Sequence, residues 1–466
     1  MGVIPSASYS ITVRLDLPAD GLPASLLTGA VESAGGMVTA FDVTANRGDR
    51  MQVDLTCAAP DADHAELITD ALGVVPGVIV GKVSDRTFLL HLGGKIEVNS
   101  KVPLRTRDDL SMAYTPGVAR VSRAIVERPA DVRRLTIKRN TVAVVTDGTA
   151  VLGLGNIGPA AALPVMEGKC ALFKRFAGID AWPICLDTRD TEEIIRTVQI
   201  IAPVFGGINL EDIAAPRCFE IERRLRDLLD IPVFHDDQHG TAIVVLAALT
   251  NALRVVDKTL ADVHIVLSGA GAAGNAILDL LLAAGATDVV VGDIAGIVST
   301  DRQDLDPSLA AIAAKTNRLG RSGPLTTALP GADVFIGVSA PNVIDGDDVA
   351  AMASGAIVFA LANPDPEIDP VAARRHAAVV ATGRSDFPNQ INNVLAFPGV
   401  FRGLLDAQSR AVPQEALLAA AAALANVVDD SERHANYIVP SVFHPDLAST
   451  VAAAVRRSVE QPGRRD

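Results

Sequence analysis

Polar and apolar residues alternate strictly along residues 9–17, as in a β-strand that buries one face. Residues 22–34 instead repeat their apolar residues at helical spacing, and the pattern stops at two glycines. Both patterns recur downstream, where they predict a helix over 61–72 and strands over 37–45, 50–58 and 78–92. The first 92 residues therefore predict the order βαββαβ, a small sandwich of one sheet and two helices.

This segment, residues 1–92, resembles an ACT domain, a small ligand-sensing module that is often attached to metabolic enzymes. The resemblance lies in the order and length of the elements. It implies that Gly21, in the first strand-to-helix turn, lies where such domains approach an amino-acid effector. A structural or dimerising module without a ligand is the alternative.

Residues 93–100 break the pattern and indicate a linker. Beyond them, apolar runs of strand length alternate with helical ones, which is typical of α/β proteins with parallel sheets. A second break at 257–261 divides this region and leads into a nucleotide-binding pattern that ends in Ala-rich helices. We therefore predict an ACT-like regulatory domain over 1–92, an α/β catalytic domain over 100–256, and a Rossmann-type doubly wound domain over 257–466.

The third domain opens with a glycine motif that a predicted strand precedes and a predicted helix follows, namely Gly269, Ala270, Gly271, Ala272, Ala273 and Gly274. Such glycines let the backbone approach a pyrophosphate at a helix N-terminus. Asp293 ends the next predicted strand, 19 residues after the last glycine, where an acid accepts hydrogen bonds from the adenosine ribose. A 2′-phosphate would favour a cation there, but Ile294, Ala295 and Gly296 follow. We therefore expect NAD rather than NADP.

Carboxylates follow two predicted strands of the second domain. Asp236 and Asp237 come after the apolar run 231–234, and Glu211 and Asp212 come after residues 207–210. Neighbouring strand residues point to opposite sides, so the two acids of a pair need not share a partner. Oxygen-only ligands suit Mg²⁺ or Mn²⁺. A solvated turn with an Asp helix cap is the alternative for Asp236 and Asp237, and chance pairs of acids are common.

Lys169 lies in an apolar helical segment, where desolvation would lower its pKa toward use as a general base. A lysine whose stem packs while its head stays in water is the alternative. Tyr114 precedes a Thr-Pro bend that would hold its phenol on a rigid loop, although it could equally be a packing residue. Asn363 follows a predicted strand at the ligand edge of the sheet, and the amide of Asn393 suits carboxylate or nicotinamide contacts.

Composition excludes several classes of protein. The net charge is −14 without a long basic block, which argues against nucleic-acid and anionic-membrane partners. The longest apolar tract has 13 residues, whereas a membrane span needs about 20. The four cysteines form no CxxC pair, as expected of core residues in a reducing cytoplasm.

The chain from about residue 100 to 410 resembles the malic enzymes in their shorter bacterial form. The motifs that carry the resemblance, as they stand here, are Ala113-Tyr-Thr-Pro, Thr146-Asp-Gly with Leu152-Gly-Leu-Gly-Asn, Gly168-Lys169, Asn209-Leu-Glu-Asp212, His235-Asp-Asp-Gln-His-Gly-Thr241, Gly269-Ala-Gly271, Ala362-Asn-Pro364 and Gln390-Ile-Asn-Asn-Val394. It implies oxidative decarboxylation of L-malate to pyruvate and CO₂ with NAD and a divalent metal, in a homodimer or larger oligomer.

The resemblance also implies roles for individual residues. Lys169 would take the proton of the malate 2-hydroxyl, Asp236 would orient Lys169, and Tyr114 would protonate C3 of enolpyruvate. Asn363 and Asn393 would contact malate and the nicotinamide end. The metal ligands would be Glu211, Asp212 and Asp237.

One position departs from the pattern of the larger family members, which carry a carboxylate-binding arginine where this chain has Ala150. The shorter members also lack that arginine, and Arg384 is a candidate replacement. Two functional alternatives remain open. One is malolactic decarboxylation to lactate with NAD recycled in place, and the other is a non-catalytic regulatory protein that binds an effector.

Overall fold

The computed structural model describes residues 5–19, 22–46, 48–151 and 153–461, and it divides into two compact units between Val98 and Asn99. None of the described helices is both long and apolar enough to cross a membrane.

The first unit is a four-stranded antiparallel sheet with two helices that contribute to its core and a third, short helix that also contacts the sheet. Its elements are β1 (Ser6–Pro18), α1 (Ala24–Ser33), β2 (Met37–Asn46), β3 (Arg50–Ala59), α2 (Ala62–Gly73), β4 (Ile79–Asp85) and α3 (Arg86–His91). The strand order is β2-β3-β1-β4. The alternating residues Val13, Leu15 and Leu17 are fully buried, as their spacing predicts. The βαββαβ order is thereby confirmed, whereas Gly21 lies outside the described residues.

The prediction of a strand over 78–92 is wrong in its second half. The strand ends at Asp85, whose side chain accepts hydrogen bonds from the backbone N–H groups of Thr87 and Phe88 at 2.7 and 3.0 Å. This is the geometry of a helix N-cap, so the chain turns into α3 instead of continuing extended.

The second unit begins with three helices and a four-stranded sheet. Its elements up to residue 255 are α4 (Arg107–Ala113), α5 (Val118–Glu127), α6 (Asp131–Leu135), β5 (Thr141–Thr146), α7 (Pro159–Ala177), β6 (Asp180–Cys185), α8 (Thr191–Ile201), β7 (Gly207–Leu210), α9 (Arg217–Leu228), β8 (Val233–His235) and α10 (Thr241–Val255). The strands are all parallel in the order β6-β5-β7-β8. Every residue of β5, β7 and β8 is buried, as expected for a parallel sheet.

A six-stranded sheet follows in the same unit. Its elements are β9 (His264–Ser268), α11 (Ala272–Ala283), β10 (Asp288–Asp293), β11 (Gly296–Ile297), α12 (Pro307–Lys315), β12 (Val334–Gly337), α13 (Gly346–Ala350), β13 (Ile357–Ala360), α14 (Pro370–Ala373), β14 (Val379–Thr382), α15 (Phe397–Asp406), α16 (Gln414–Ala425) and α17 (Leu447–Glu460). The order is β11-β10-β9-β12-β13-β14, and all neighbours are parallel except the short β10–β11 pair. The predicted α/β class with a doubly wound parallel sheet is confirmed.

The almost wholly buried helix α10 connects the two parallel sheets. It packs against α11 and α16, and α15 packs against α7. Ligands of parallel sheets bind at the carboxyl ends of the strands. The ends of β7 and β8 in one sheet, and of β9, β10 and β13 in the other, are therefore where the functional groups are expected.

Candidate active site

Lys169 and two carboxylates form a buried charged cluster at the carboxyl edge of the first parallel sheet. Lys169 projects from α7, and its Nζ donates a short hydrogen bond to Asp236 Oδ2 and pairs with Glu211 Oε1 at 2.9 Å. The Asp236 side chain is fully buried, and only 7% of the Lys169 and Glu211 side chains is exposed. Nζ also lies 4.2 Å from the centre of the Phe397 ring, a favourable place for a cation.

The prediction that the pKa of Lys169 is lowered is wrong. Burial alone would lower it, but the charges of Asp236 and Glu211 outweigh that effect and raise the pKa above its ordinary value. Burial also raises the pKa of Glu211 to about 7 and that of Asp236 to about 6, despite the nearby ammonium. Lys169 is thus a paired cation in this arrangement.

Asp236 and Asp237 lie in a single π-helical turn, Asp236–Gly240, between β8 and α10. Asp236 faces Lys169, whereas Asp237 Oδ2 accepts a hydrogen bond from the backbone N–H of Asp212 at 2.9 Å. The two acids therefore have different partners, as expected, although a turn and not strand alternation separates them. Gly240 closes the turn so tightly that a Cβ there would overlap Asp236 Oδ1.

The carboxylates of Glu211, Asp212 and Asp237 can each place one oxygen within 4.8 Å of the other two. Like charges so close together oppose ionisation unless a cation compensates them. Three carboxylate oxygens with room for further ligands suit Mg²⁺ or Mn²⁺, so these residues fit a divalent metal.

Asp212 adopts a left-handed backbone conformation with φ of 53°. Asp tolerates this region better than most residues, but it is uncommon outside glycine and often marks functional sites. The Asp212 carbonyl accepts a hydrogen bond from Ala150 N at 3.0 Å, while its N–H binds Asp237. Asp212 thus links the segments that follow β5, β7 and β8 through hydrogen bonds.

Sequence reasoning missed the groups that support these acids. Buried Asn209 donates from Nδ2 to Glu211 Oε2 at 2.9 Å. Glu222 of α9, also buried, accepts hydrogen bonds from the backbone N–H of His235 and from Gln238 Nε2, and it pairs with His239 and Arg226. Burial would raise the pKa of Glu222, but His239 and Arg226 beside it lower that pKa to about 2.

Glu222 is therefore a carboxylate that stabilises the Asp236–Gly240 turn through hydrogen bonds to the turn and to the residue before it. No local pattern marks this role, because the partners of Glu222 in and beside the turn, His235, Gln238 and His239, are 13 to 17 positions away along the chain. The signal available in the sequence was an acid at helical spacing before Arg226, which is common on exposed helices.

The glycine motif forms the predicted turn between β9 and α11. Gly269 has φ of 109° and leaves no space for a Cβ beside the Val338 carbonyl, and a Cβ at Gly274 would overlap the Gly269 carbonyl. Gly271 has open space beside it. These are the three separate needs of a dinucleotide turn: a tight bend, access to the ligand, and close packing of helix on strand.

Asp293 ends β10 beside this turn, as predicted, but its surroundings differ from those expected. Arg302, nine residues further on, donates to both Asp293 oxygens at 2.8 and 2.9 Å. The expectation that no cation lies there was therefore wrong. Residues 294–296 carry no cation, but the chain returns past Asp293 after the short strand β11 and brings Arg302 to it.

Asn363 and Asn393 lie at the edges of the same region. The side-chain amide of Asn363 lies against Gly383. The backbone carbonyl of Asn363 lies against Gly153, in the glycine-rich turn after β5. Asn393 Cβ would be 3.1 Å from a Cβ at Gly240, beside the acid turn. Arg384 forms a two-bond ion pair with Asp386, at 2.9 and 2.7 Å.

Tyr114 is the predicted residue that the structure does not bring to this cluster. It follows α4 with 68% of its surface exposed, and no described contact joins it to Lys169 or to the acids. Helices α4, α5 and α6 bury none of their residues.

The acid turn Asp236–Gly240 packs against α11, the helix that begins at the glycine turn. The candidate dinucleotide turn and the candidate divalent-metal cluster are thus neighbours, and a buried lysine lies between acids beside them. This combination defines a metal-dependent oxidoreductase that uses a nicotinamide dinucleotide.

The particular family follows from comparison with known proteins. Residues 93–226 match the malic enzyme N-terminal domain, and residues 238–460 match the malic enzyme NAD binding domain. The chain is 55% identical over 457 residues to the NAD-dependent malic enzyme of Geobacillus stearothermophilus, covering 98% of this chain and 96% of that one. It is 51% identical to the bifunctional malic/malolactic enzyme of Bacillus subtilis, covering 82% and 94%.

A solved structure gives the same answer. The NAD-dependent malic enzyme of Thermotoga maritima superposes with a TM-score of 0.77 at 48% identity, covering 80% of this chain and 99% of that one. The chain belongs to the malic enzyme family.

The contact between Gly240 and Asp236 gives a direct test of the site geometry. Because a Cβ at Gly240 would displace Asp236 from Lys169, we expect Gly240→Ala to lower the apparent Tm, with an overpacking cost of about 1–3 kcal/mol. Turnover of malate should fall as well. Gly346→Ala, at a helical position with open space, is the control, and it should not lower the Tm and should leave turnover unchanged. A Gly240→Ala protein with the Tm and turnover of wild type would refute the described packing.

Proposed function

We propose that this protein catalyses the oxidative decarboxylation of L-malate to pyruvate and CO₂ with reduction of NAD, in the cytoplasm. The observation that carries the proposal is the buried Lys169 between Asp236 and Glu211, next to the three-acid cluster and to the helix of the glycine turn. The family to which the chain belongs supports the same reaction.

Lys169 is the group proposed to accept the proton of the malate 2-hydroxyl while the hydride of C2 passes to NAD. Only its neutral form can accept a proton, and pairing with two carboxylates favours the charged form. Engagement of Glu211 by a cation would remove one of these two stabilising charges. Asp236 would then remain as the single partner that orients Nζ and receives its proton.

The metal ligands are proposed to be Glu211, Asp212 and Asp237, which fit an oxygen-binding divalent cation. When bound there, Mg²⁺ or Mn²⁺ supplies a Lewis acid for the malate 2-oxygen and C1 carboxylate, which favours loss of CO₂ from a β-keto acid. Asn209 keeps Glu211 oriented through its Nδ2.

The dinucleotide is proposed to lie along the glycine turn, with Asp293 at the adenosine ribose. Asn363 and Asn393 are proposed to contact malate and the nicotinamide end, since each lies against a glycine that borders the site. Arg384 is a weaker candidate for a malate carboxylate, because Asp386 already occupies its guanidinium.

The division of the chain is also part of this proposal: an ACT-like regulatory domain over 1–92, a catalytic domain over 100–256 and an NAD-binding domain over 257–466. The antiparallel sheet with α1 and α2 packed against it supports the first assignment. A small-molecule effector is the proposed ligand of that domain.

Malolactic decarboxylation is a second candidate. A relative with 51% identity carries the name bifunctional malic/malolactic enzyme, and the same residues would serve both reactions. A purely regulatory role is disfavoured, because a buried ion cluster that serves no reaction has a desolvation cost without benefit.

The homo-oligomer proposal rests on the exposed helices α4, α5 and α6. Their uncovered apolar side chains are Leu110, Met112, Val118, Val121 and Val126, and Tyr114 stands among them. Exposed apolar patches of this kind mark interaction sites. A second copy of this chain would cover them, and we propose that Tyr114 protonates C3 of enolpyruvate in the site of that second copy.

The reaction is tested by incubating the wild-type protein with L-malate, NAD and Mn²⁺. We expect NADH and pyruvate in equal amounts, because the hydride remains on NAD when pyruvate leaves. Absorbance measures NADH, and chromatography measures pyruvate and lactate. Lactate without NADH would establish the malolactic alternative instead.

The matched pair Lys169→Ala and Lys174→Ala controls this assay, since both lysines lie on α7 and Lys174 is largely exposed. Loss of a general base lowers the rate by about 10²–10⁴-fold, so Lys169→Ala should fall by that factor. Lys174→Ala should stay near wild type. Equal rates for the two variants would remove Lys169 from the proposed role.

Action of Tyr114 between copies is tested by mixing Tyr114→Phe with Lys169→Ala under conditions that exchange subunits. Only mixed dimers would then contain one site with both side chains, so random assortment in a two-fold dimer restores about a quarter of wild-type activity. Each variant alone is the control. A mixture no more active than its components would show that Tyr114 does not act between copies.

A further inference from the structure

Arg302 is held between two carboxylates at the coenzyme edge of the second parallel sheet. Its Nη1 and Nη2 donate to the two oxygens of Asp293 at 2.8 and 2.9 Å. Its Nε and Nη2 donate to the two oxygens of Asp304 at 2.8 and 2.6 Å. Only 14% of the Arg302 side chain is exposed, so the guanidinium is fixed and not a mobile surface charge.

The position of Asp293 makes this pairing relevant to coenzyme choice. Gly292 pairs with Ser268 across β10 and β9, and the N–H of Gly269 donates to the Gly292 carbonyl at 2.8 Å. Asp293 is therefore level with the first glycine of the turn, where an acid meets the ribose hydroxyls. The next residue, Ile294, is completely exposed and leaves the approach to Asp293 open.

The carboxylate of Asp293 retains capacity for a ribose hydroxyl while Arg302 is in place. A carboxylate offers about four acceptor positions. Arg302 uses one on each oxygen, and the N–H of Ala295 uses a second on Oδ1 at 2.9 Å. One position on Oδ2 is left, which suits a neutral hydroxyl donor.

The same cluster opposes a phosphate group. Two carboxylates and one guanidinium leave a net charge of −1, which repels a dianion. Removing Asp293 would bring this net charge to zero and release the N–H groups of Nη1 and Nη2 that bind Asp293, because Arg302 would then be paired with Asp304 alone, which is 59% exposed. An arginine freed in this way presents two parallel N–H donors, the geometry that binds phosphate.

We propose that Arg302 is a specificity-determining residue of the coenzyme site. Its guanidinium is able to bind a ribose 2′-phosphate, but Asp293 and Asp304 pair with it and prevent this. The site therefore selects the unphosphorylated ribose through a bound arginine and not through the lack of one. This inference rests on the proposed placement of the dinucleotide at Asp293.

The test is direct binding of ADP-ribose and 2′-phospho-ADP-ribose by calorimetry to the full chain, without malate or metal. Wild type should prefer ADP-ribose. In Asp293→Ser, where the hydroxyl can still accept from Ala295, affinity for 2′-phospho-ADP-ribose should rise about 10- to 100-fold, the gain expected from charge-assisted hydrogen bonds. Adding Arg302→Ala to Asp293→Ser should abolish that rise.

Asp279→Ser is the control, because it frees Lys315 on the same sheet domain away from the glycine turn and should leave both affinities unchanged. Two results would overturn the role of Arg302 and leave the coenzyme placement intact. One is a double variant that keeps the gain in affinity for 2′-phospho-ADP-ribose, and the other is an Asp293→Ser protein that binds ADP-ribose but shows no such gain. A wild-type protein that binds neither compound would overturn the coenzyme placement itself.

Discussion

The pairing of Lys169 with Asp236 and Glu211 is the interaction on which the rest of the site depends. A buried ammonium is stable only when carboxylates compensate it, and a buried carboxylate is stable only when it is paired or hydrogen-bonded. Lys169 joins α7 to the ends of β7 and β8 in one contact region. Two acids, Asp236 and Glu211, contact this single lysine, and Asp212 and Asp237 lie beside Glu211, so the group carries an excess of negative charge that a divalent cation would largely neutralise.

This balance explains why the supporting residues are polar although they are buried. Asn209 fixes Glu211, and Glu222 fixes the turn that carries Asp236 and Asp237. Gly240 allows that turn to close on Asp236. A cation shared between two carboxylates occurs again at the coenzyme edge, where Arg302 lies between Asp293 and Asp304. In both places the ion pairing determines the net charge of the cluster to which a ligand would bind.

The sequence predicted the parts of the fold that depend on local pattern. The strict alternation of β1 and the apolar runs of β5, β9 and β13 correspond to observed strands, and the glycine turn lies where its motif required. Local signals failed where a single side chain redirected the chain, as Asp85 does at α3. Local signals also cannot predict contacts between residues that are far apart along the chain. Lys169 and Asp236 are 67 positions apart, and only the family resemblance linked them.

Charge effects and exposure were the least predictable features. The apolar setting of Lys169 suggested a lowered pKa, but its partners come from distant strands and reverse the direction. Tyr114 is exposed beside helices α4 and α5, which bury none of their residues, and no periodicity reveals this. Arg302 reaches Asp293 only because β11 turns the chain back.

The proposal stands or falls on a divalent cation bound by Glu211, Asp212 and Asp237 beside Lys169, which then keeps Asp236 as its partner. A crystal grown with Mn²⁺ and measured at the manganese absorption edge tests it most directly. We predict an anomalous peak bonded to one oxygen each of Glu211, Asp212 and Asp237, with Lys169 still on Asp236. A peak elsewhere, or none at these three residues in manganese-loaded crystals, would contradict the account.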